Sequence, residues 1–222
     1  MLPAESASPG HAEIAEPSAA ALIHHLTHEL RQPLSAIESA AYYIDMVVSQ
    51  VRPDLIPHCR RLRAMVQHAN WLLDDAMLCA VFRPAAQRTQ SIGEILGHLG
   101  RRLLAEEESV LDLQLECEGR VQAPDSLPRM LEHAVAFFRD VAGCHGLIHA
   151  GVQGGQDGVS VLVWADGCDD ALDAARALRA ASECGFLGRF LHAAGGALHV
   201  EAQESLQRLS LTLRLRAAEQ GQ

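Results

Sequence analysis

The chain has 222 residues, 49% of them hydrophobic, and a formal charge of −10 at pH 7; such an acidic balance argues against direct nucleic-acid binding, because phosphates need a basic footprint. No apolar run approaches the ~20 residues needed to span a bilayer, and the N-terminus has neither the basic start nor the apolar core of a signal peptide, so the expectation is a soluble cytoplasmic protein without direct membrane insertion. All 18 basic residues are arginine, which excludes lysine-dependent mechanisms, including a GxxxxGK[ST] phosphate loop.

Residues 1–16 are rich in Pro, Ser, Ala and Gly without apolar periodicity and read as a loose tail. From Pro17 the pattern changes: Ile23, Leu26, Leu30, Leu34, Ile37, Ala41, Ile44, Val48 and Val51 follow one another at steps of 3 or 4. Apart from one extra step near Pro33 this is a heptad seam, the mark of a long helix in a coiled-coil-like bundle. Pro33 should bend the helix locally, since it lacks a backbone donor and crowds the preceding turn. Arg52-Pro53-Asp54 through Pro57 supplies a turn. A second seam runs through Cys59, Leu62, Val66, Ala69, Leu73, Ala76 and Ala80. Residues 17–84 therefore form a helical hairpin. Each helix has one apolar seam to hide, so pairing with a second copy as a four-helix bundle is the economical solution; the alternative is that both seams pack onto the rest of the same chain.

Residues 85–90 look like a linker, and residues 91–216 carry a mixed pattern ahead of a short tail, 217–222. Ile92, Ile95, Leu96, Leu99 and Leu103 mark a helix. Leu111, Leu113, Leu115 and Cys117 alternate as a strand, as do Val159, Val161 and Val163, and Leu209, Leu211, Leu213 and Leu215. Further helices are expected near Ser126–Ala142, Asp170–Ala181 and Phe186–Ala194. The order suggests a small α/β sandwich, giving an α+β chain overall. Cys59, Cys79, Cys117, Cys144, Cys168 and Cys184 include no CxxC pair, which argues against a zinc knuckle and fits reduced thiols.

His28 lies two residues from both Leu26 and Leu30, about 200° around the helix from each, so it points away from the seam. A nucleophile that must meet a large phosphodonor needs that exposure, although an isolated histidine is more often an ordinary surface residue. The surrounding segment, Leu26-Thr27-His28-Glu29-Leu30-Arg31-Gln32-Pro33-Leu34-Ser35-Ala36-Ile37, resembles the H-box of two-component histidine kinases. Trp71-Leu72-Leu73-Asp74-Asp75 on the second helix also looks like that family. The resemblance implies a phosphoacceptor role for His28 and an acid/base role for Glu29. Gln32 occupies the position where phosphatase-competent relatives carry a water-orienting Thr or Asn, and Arg31 would hold phosphate or a partner's carboxylate. His24 and His28 stand one turn apart, a metal-clamping spacing, but no third ligand accompanies them and no metal site is expected.

In the same family the second domain binds Mg-ATP through an asparagine-rich N-box, a DxGxG loop, a lid and a glycine segment before a helix. Here Asn70, in the hairpin, is the only asparagine. The helix following Ala123-Pro124-Asp125 offers only Glu132 or His133 in place of the N-box amide that would help hold a hard cation. Val163-Trp164-Ala165-Asp166-Gly167-Cys168-Asp169 resembles the DxGxG loop with its second glycine lost. By that resemblance Asp166 and Gly167 belong to an adenine site, and Gly185 and Gly188 to a diminished glycine segment. Gly195-Gly196 matches the family's ending and also suits a helix C-cap turn.

The combined expectation is a cytoplasmic homodimeric histidine phosphotransferase of a two-component phosphorelay, with a degenerate ATP-binding-like domain and no cofactor of its own. It would exchange a phosphoryl group on His28 with response-regulator receiver domains, which bring the magnesium ion, and an upstream histidine kinase could feed the relay. Two alternatives stand beside it: a divergent ATP-dependent histidine kinase, and a non-catalytic pseudokinase that regulates a true kinase through mixed helical bundles.

Overall fold

The computed structural model of the chain describes residues 18–48, 51–84, 86–105, 110–143, 147–155, 158–168 and 170–218. The tail expected over 1–16, and the last four residues of the chain, lie outside the described residues.

The first helix, α1, spans Ala19–Val48 and runs on through Pro33. Ser18 caps it by accepting the Ala21 N–H at 3.2 Å. Because proline has no N–H, the carbonyl of Glu29, four residues back, is left without its usual helical donor. A short 3-10 turn at Pro53–Leu55 reverses the chain into α2, Ile56–Val81. The two helices pack side by side, and Arg63 of α2 reaches Asp45 of α1 at 3.3 Å.

The expected α1 seam divides between two directions. Thr27 and Ala41 are buried against α2, and Ile23 and Leu34 are half-covered. Leu26, Leu30, Ile37 and Ile44 stay exposed, together with Tyr42, Tyr43 and Met46. The idea that both seams are covered by the rest of the chain is therefore contradicted: a contiguous apolar stripe faces outward.

The second domain follows. A strand β1, Arg88–Ser91, pairs antiparallel with β3, Arg120–Ala123. Between them lie α3, Ile92–Ala105, and β2, Val110–Leu115. Next come α4, Leu127–Asp140; β4, Leu147–Gly155; β5, Gly158–Ala165; α5, Ala171–Cys184; α6, Phe186–Ala194; β6, Ala197–Gln203; and β7, Arg208–Leu215. The main sheet has the order β2-β4-β5-β7-β6. Only β2 and β4 run parallel, which requires a crossover, here supplied by β3 and α4.

Alternation explains the two faces of the sheet. Val161 and Val163 of β5 and Leu209, Leu211 and Leu213 of β7 are fully buried under the helices, against Phe137 and Phe138 of α4, Leu178 of α5, and Leu187 and Phe190 of α6. On the opposite face Trp164 stacks on His149 at 4.9 Å, and the His149 ring donates to Asp112 at 2.9 Å. Gly195 ends α6 in the left-handed region, φ 63°, and the Gly196 N–H reaches back to the Leu191 carbonyl at 2.8 Å. The diglycine is a helix cap. Cys59, Cys79, Cys117 and Cys184 are free thiols. Cys168 is disulfide-bonded, which corrects the expectation of six reduced cysteines; Cys144 lies outside the described residues. No helix among the described residues is long and apolar enough to cross a membrane.

Candidate functional site

On the hairpin, His28 and Glu29 are both well exposed, with the His28 Nδ1 3.5 Å from a Glu29 carboxylate oxygen. A carboxylate on the Nδ1 side favours the tautomer that carries its proton there and leaves the Nε2 lone pair outward. Gln32 is exposed one turn further along the helix. Arg31 is tied across the hairpin to Asp74 of α2 in an ion pair, so it serves as a strut between the helices and lies near His28 only along its own helix.

A second constellation lies where α2 meets the α/β domain. Asp75 is almost fully buried, and one of its carboxylate oxygens accepts two hydrogen bonds: the His133 ring N–H of α4 at 3.0 Å and the Phe186 backbone N–H of α6 at 3.0 Å. Trp71, one turn earlier, lies flat on the His133 ring with centroids 4.3 Å apart and donates its indole N–H to the His133 carbonyl at 3.1 Å. Phe82 meets Phe186 edge-on at 5.6 Å. Arg189 adds a bond to the Cys79 carbonyl at 3.2 Å. The same carboxylate and burial push the Cys79 thiol above its usual range, burial being the larger cause.

The physical basis is a second stripe on α2. Trp71, Asp75, Leu78 and Phe82 recur at steps of 4, 3 and 4, and this stripe faces the second domain while Cys59 and Val66 bury the other side of the helix. The heptad reading followed Leu73, Ala76 and Ala80 and missed it. A carboxylate set within an apolar stripe is the signal that could have found it, because such a group is buried only when partnered.

The residues assigned by resemblance to a nucleotide site fall into two places. Asp166 is held by both nitrogens of a guanidinium fork from Arg208, at 2.6 and 2.9 Å, and that arginine keeps its carboxyl below the usual range. Gly167, beside it, takes φ 72°. Gly185 and Gly188 begin α6 on the hairpin side. A Cβ on Gly185 would collide with the Asp75 carboxylate and the Ala181 carbonyl, and one on Gly188 with the Ser182 carbonyl. Both glycines thus have a packing reason. The N–H of Phe186, at the first turn of α6, is directed at the Asp75 carboxylate, so the anion at this helix start belongs to the chain itself. His133 is engaged by Asp75 through Nε2 and stacked against Trp71.

Between α2 and α4 lies a cleft of about 810 Å³. Asn70, Asp74 and Arg83 line it from the hairpin side, and Ser126, Arg129 and Glu132 from α4 and the residue before it. None of Asp166, Gly167, Gly185 and Gly188 does.

No family model matches the sequence, and no curated protein matches it. Solved structures similar to this chain include full-length ShkA in complex with AMPPNP, at 19% identity and TM-score 0.46 over 89% of this chain and 46% of that one. The ATP-binding domain of PrrB from Mycobacterium tuberculosis shows 16% identity and TM-score 0.47 over 61% of this chain and 100% of that one. The Acinetobacter baumannii histidine kinase AdeS shows 14% identity and TM-score 0.47 over 86% and 98%. The chain spans less than half the length of ShkA.

Proposed function

We propose that the chain is a dimeric histidine phosphotransferase of two-component signalling, carrying a phosphoryl group on His28 between receiver domains. The observation that carries this reading is the placement of His28: outward on a long hairpin, beside Glu29, in an H-box segment, and flanked by an exposed apolar stripe suited to a second copy. The second domain supports a phosphotransferase over a kinase. Its α4 and α6 are turned onto Asp75 through His133 and the Phe186 amide, and by the sequence resemblance α4 offers only Glu132 or His133 in place of an N-box amide.

In the transfer, His28 Nε2 attacks the phosphorus of a receiver's aspartyl phosphate. The N–P bond forms as the bond from phosphorus to the aspartyl oxygen breaks, and that carboxylate leaves with the electron pair. Glu29 holds the Nδ1 proton and stabilises the charge that builds on the ring. The receiver partner brings the magnesium ion that neutralises the phosphoryl oxygens. Apart from that ion, catalysis is positioning, which the rigid hairpin supplies.

The test mixes the chain with receiver domains phosphorylated on aspartate and follows label onto the protein. Label should appear on the wild type and be absent from His28→Ala. A folded wild type that takes no label from a panel of receivers refutes the reading. Labelling of His28 from Mg-ATP alone establishes the kinase instead, and a His28→Ala chain with unchanged signalling output establishes the pseudokinase.

A further inference from the structure

We propose that the cleft between α2 and α4 is a binding site for a small amphiphilic acid: an elongated apolar body with one terminal anion and an N–H or O–H donor towards the other end. The volume, about 810 Å³, falls in the range of small-molecule sites, and its place at a junction of domains is where such sites form. Its walls include Trp71, Leu78, Phe82, Ala136 and Phe186, enough apolar surface for a flat body.

The polar groups define the rest of the ligand. Among the described residues two buried side-chain atoms have no hydrogen-bond partner, Asn70 Oδ1 and Ser126 Oγ, and both residues line this cleft. Folded proteins leave few buried polar atoms unpaired, so two in one cleft mark positions for groups that a ligand supplies. Asn70 Oδ1 accepts, which calls for a donor. Ser126 adds a hydroxyl at the other end.

That second end also carries Arg129, with Asp125 beside it in the lining and paired to Arg88 at 3.3 Å. Arg129 is mostly exposed, and its nearest carboxylate, on Glu132, stands 3.8 Å away, beyond hydrogen-bonding distance. Glu132 is itself engaged by Arg102 at 2.6 Å. Arg83 directs one nitrogen to the Ala80 and Phe82 carbonyls. Ser126 and Arg129 share the start of α4, and Arg83, just beyond α2, lines the same cleft. Asn70 and Val81, both in the lining, are separated by about 17 Å of helix at 1.5 Å per residue. Asp74, between the ends, is the partner of Arg31 on the helix that carries His28, so an occupant bears directly on the hairpin.

The probe is 6-(p-toluidino)naphthalene-2-sulfonate, which has an anion, an apolar body and an N–H. The reporter is energy transfer from Trp71, isolated by Trp164→Phe, the chain having 2 tryptophans. Titration should show saturable transfer at one probe per chain. Arg129→Ala should weaken it about tenfold, the loss of one charge-assisted hydrogen bond, and Ser126→Ala severalfold. Ala136→Phe, which fills the cleft, should abolish it. Absence of saturable transfer from Trp71, or affinity unchanged in both Arg129→Ala and Ser126→Ala, overturns the proposal. No phosphoryl transfer enters the measurement, so its failure and a failure of the His28 reading are distinguishable.

Discussion

Replacing Asp75 by alanine tests whether α2 and the second domain form one unit. The carboxylate is 10% exposed and accepts from His133 and from the Phe186 amide, both at 3.0 Å. Truncation leaves two buried donors unpaired at about 1–3 kcal/mol each, and opens a small cavity, so about 3–5 kcal/mol of stability should be lost. A cycle with His133→Ala should give a coupling of about 1–2 kcal/mol, because the two side chains are direct partners. Urea unfolding measures both, with hydrogen exchange at the Phe186 amide as the local reporter. That amide should exchange much faster in Asp75→Ala and retain part of its protection in Asp75→Asn, which keeps one acceptor oxygen. A loss under about 1 kcal/mol, with Phe186 protection unchanged, would refute the clamp.

Gly188→Ala should destabilise the fold by about 1–3 kcal/mol, read by thermal melting, because its Cβ meets the Ser182 backbone and no flexible side chain can move aside. Leu26→Asp with Leu30→Asp should weaken self-association at least about thirtyfold, near 2 kcal/mol, in sedimentation equilibrium, while circular dichroism stays the same. For Asp166 the folded pKa is depressed by Arg208. Its contribution is therefore present above the unfolded value of about 3.9 and lost as pH falls through the lower folded value. Both groups are largely exposed, so the pair gives only a small increment. Comparing urea midpoints at pH 6 and in the acid limb, Arg208→Gln should lose less stability on acidification than the wild type.

Much of the architecture is legible along the chain because period reports burial. The alternation at Val159, Val161 and Val163 and at Leu209 to Leu215 marks two strands with one face under helices, and the structure shows those faces buried. The helix expected near Phe186–Ala194 spans those residues. Other elements carry weak signals. β1 and β3 are four-residue strands with little alternation, stabilised by pairing between segments some thirty residues apart. The polar end of His28 was also readable, since two steps of 100° from Leu26 turn it from the seam and the structure leaves it exposed.

The sequence by itself determined the hairpin, the mixed second domain and the outward placement of His28, all of which follow from short-range periodicity and one contiguous motif. Only the tertiary structure decided how the α1 seam divides, that Arg31 is occupied by Asp74, and that Gly185 abuts Asp75. Those outcomes depend on which surfaces meet across the fold. The clearest case is Asp75 with Phe186: 111 residues separate them, and nothing in local spacing shows that a buried carboxylate will find its donors at the start of a distant helix.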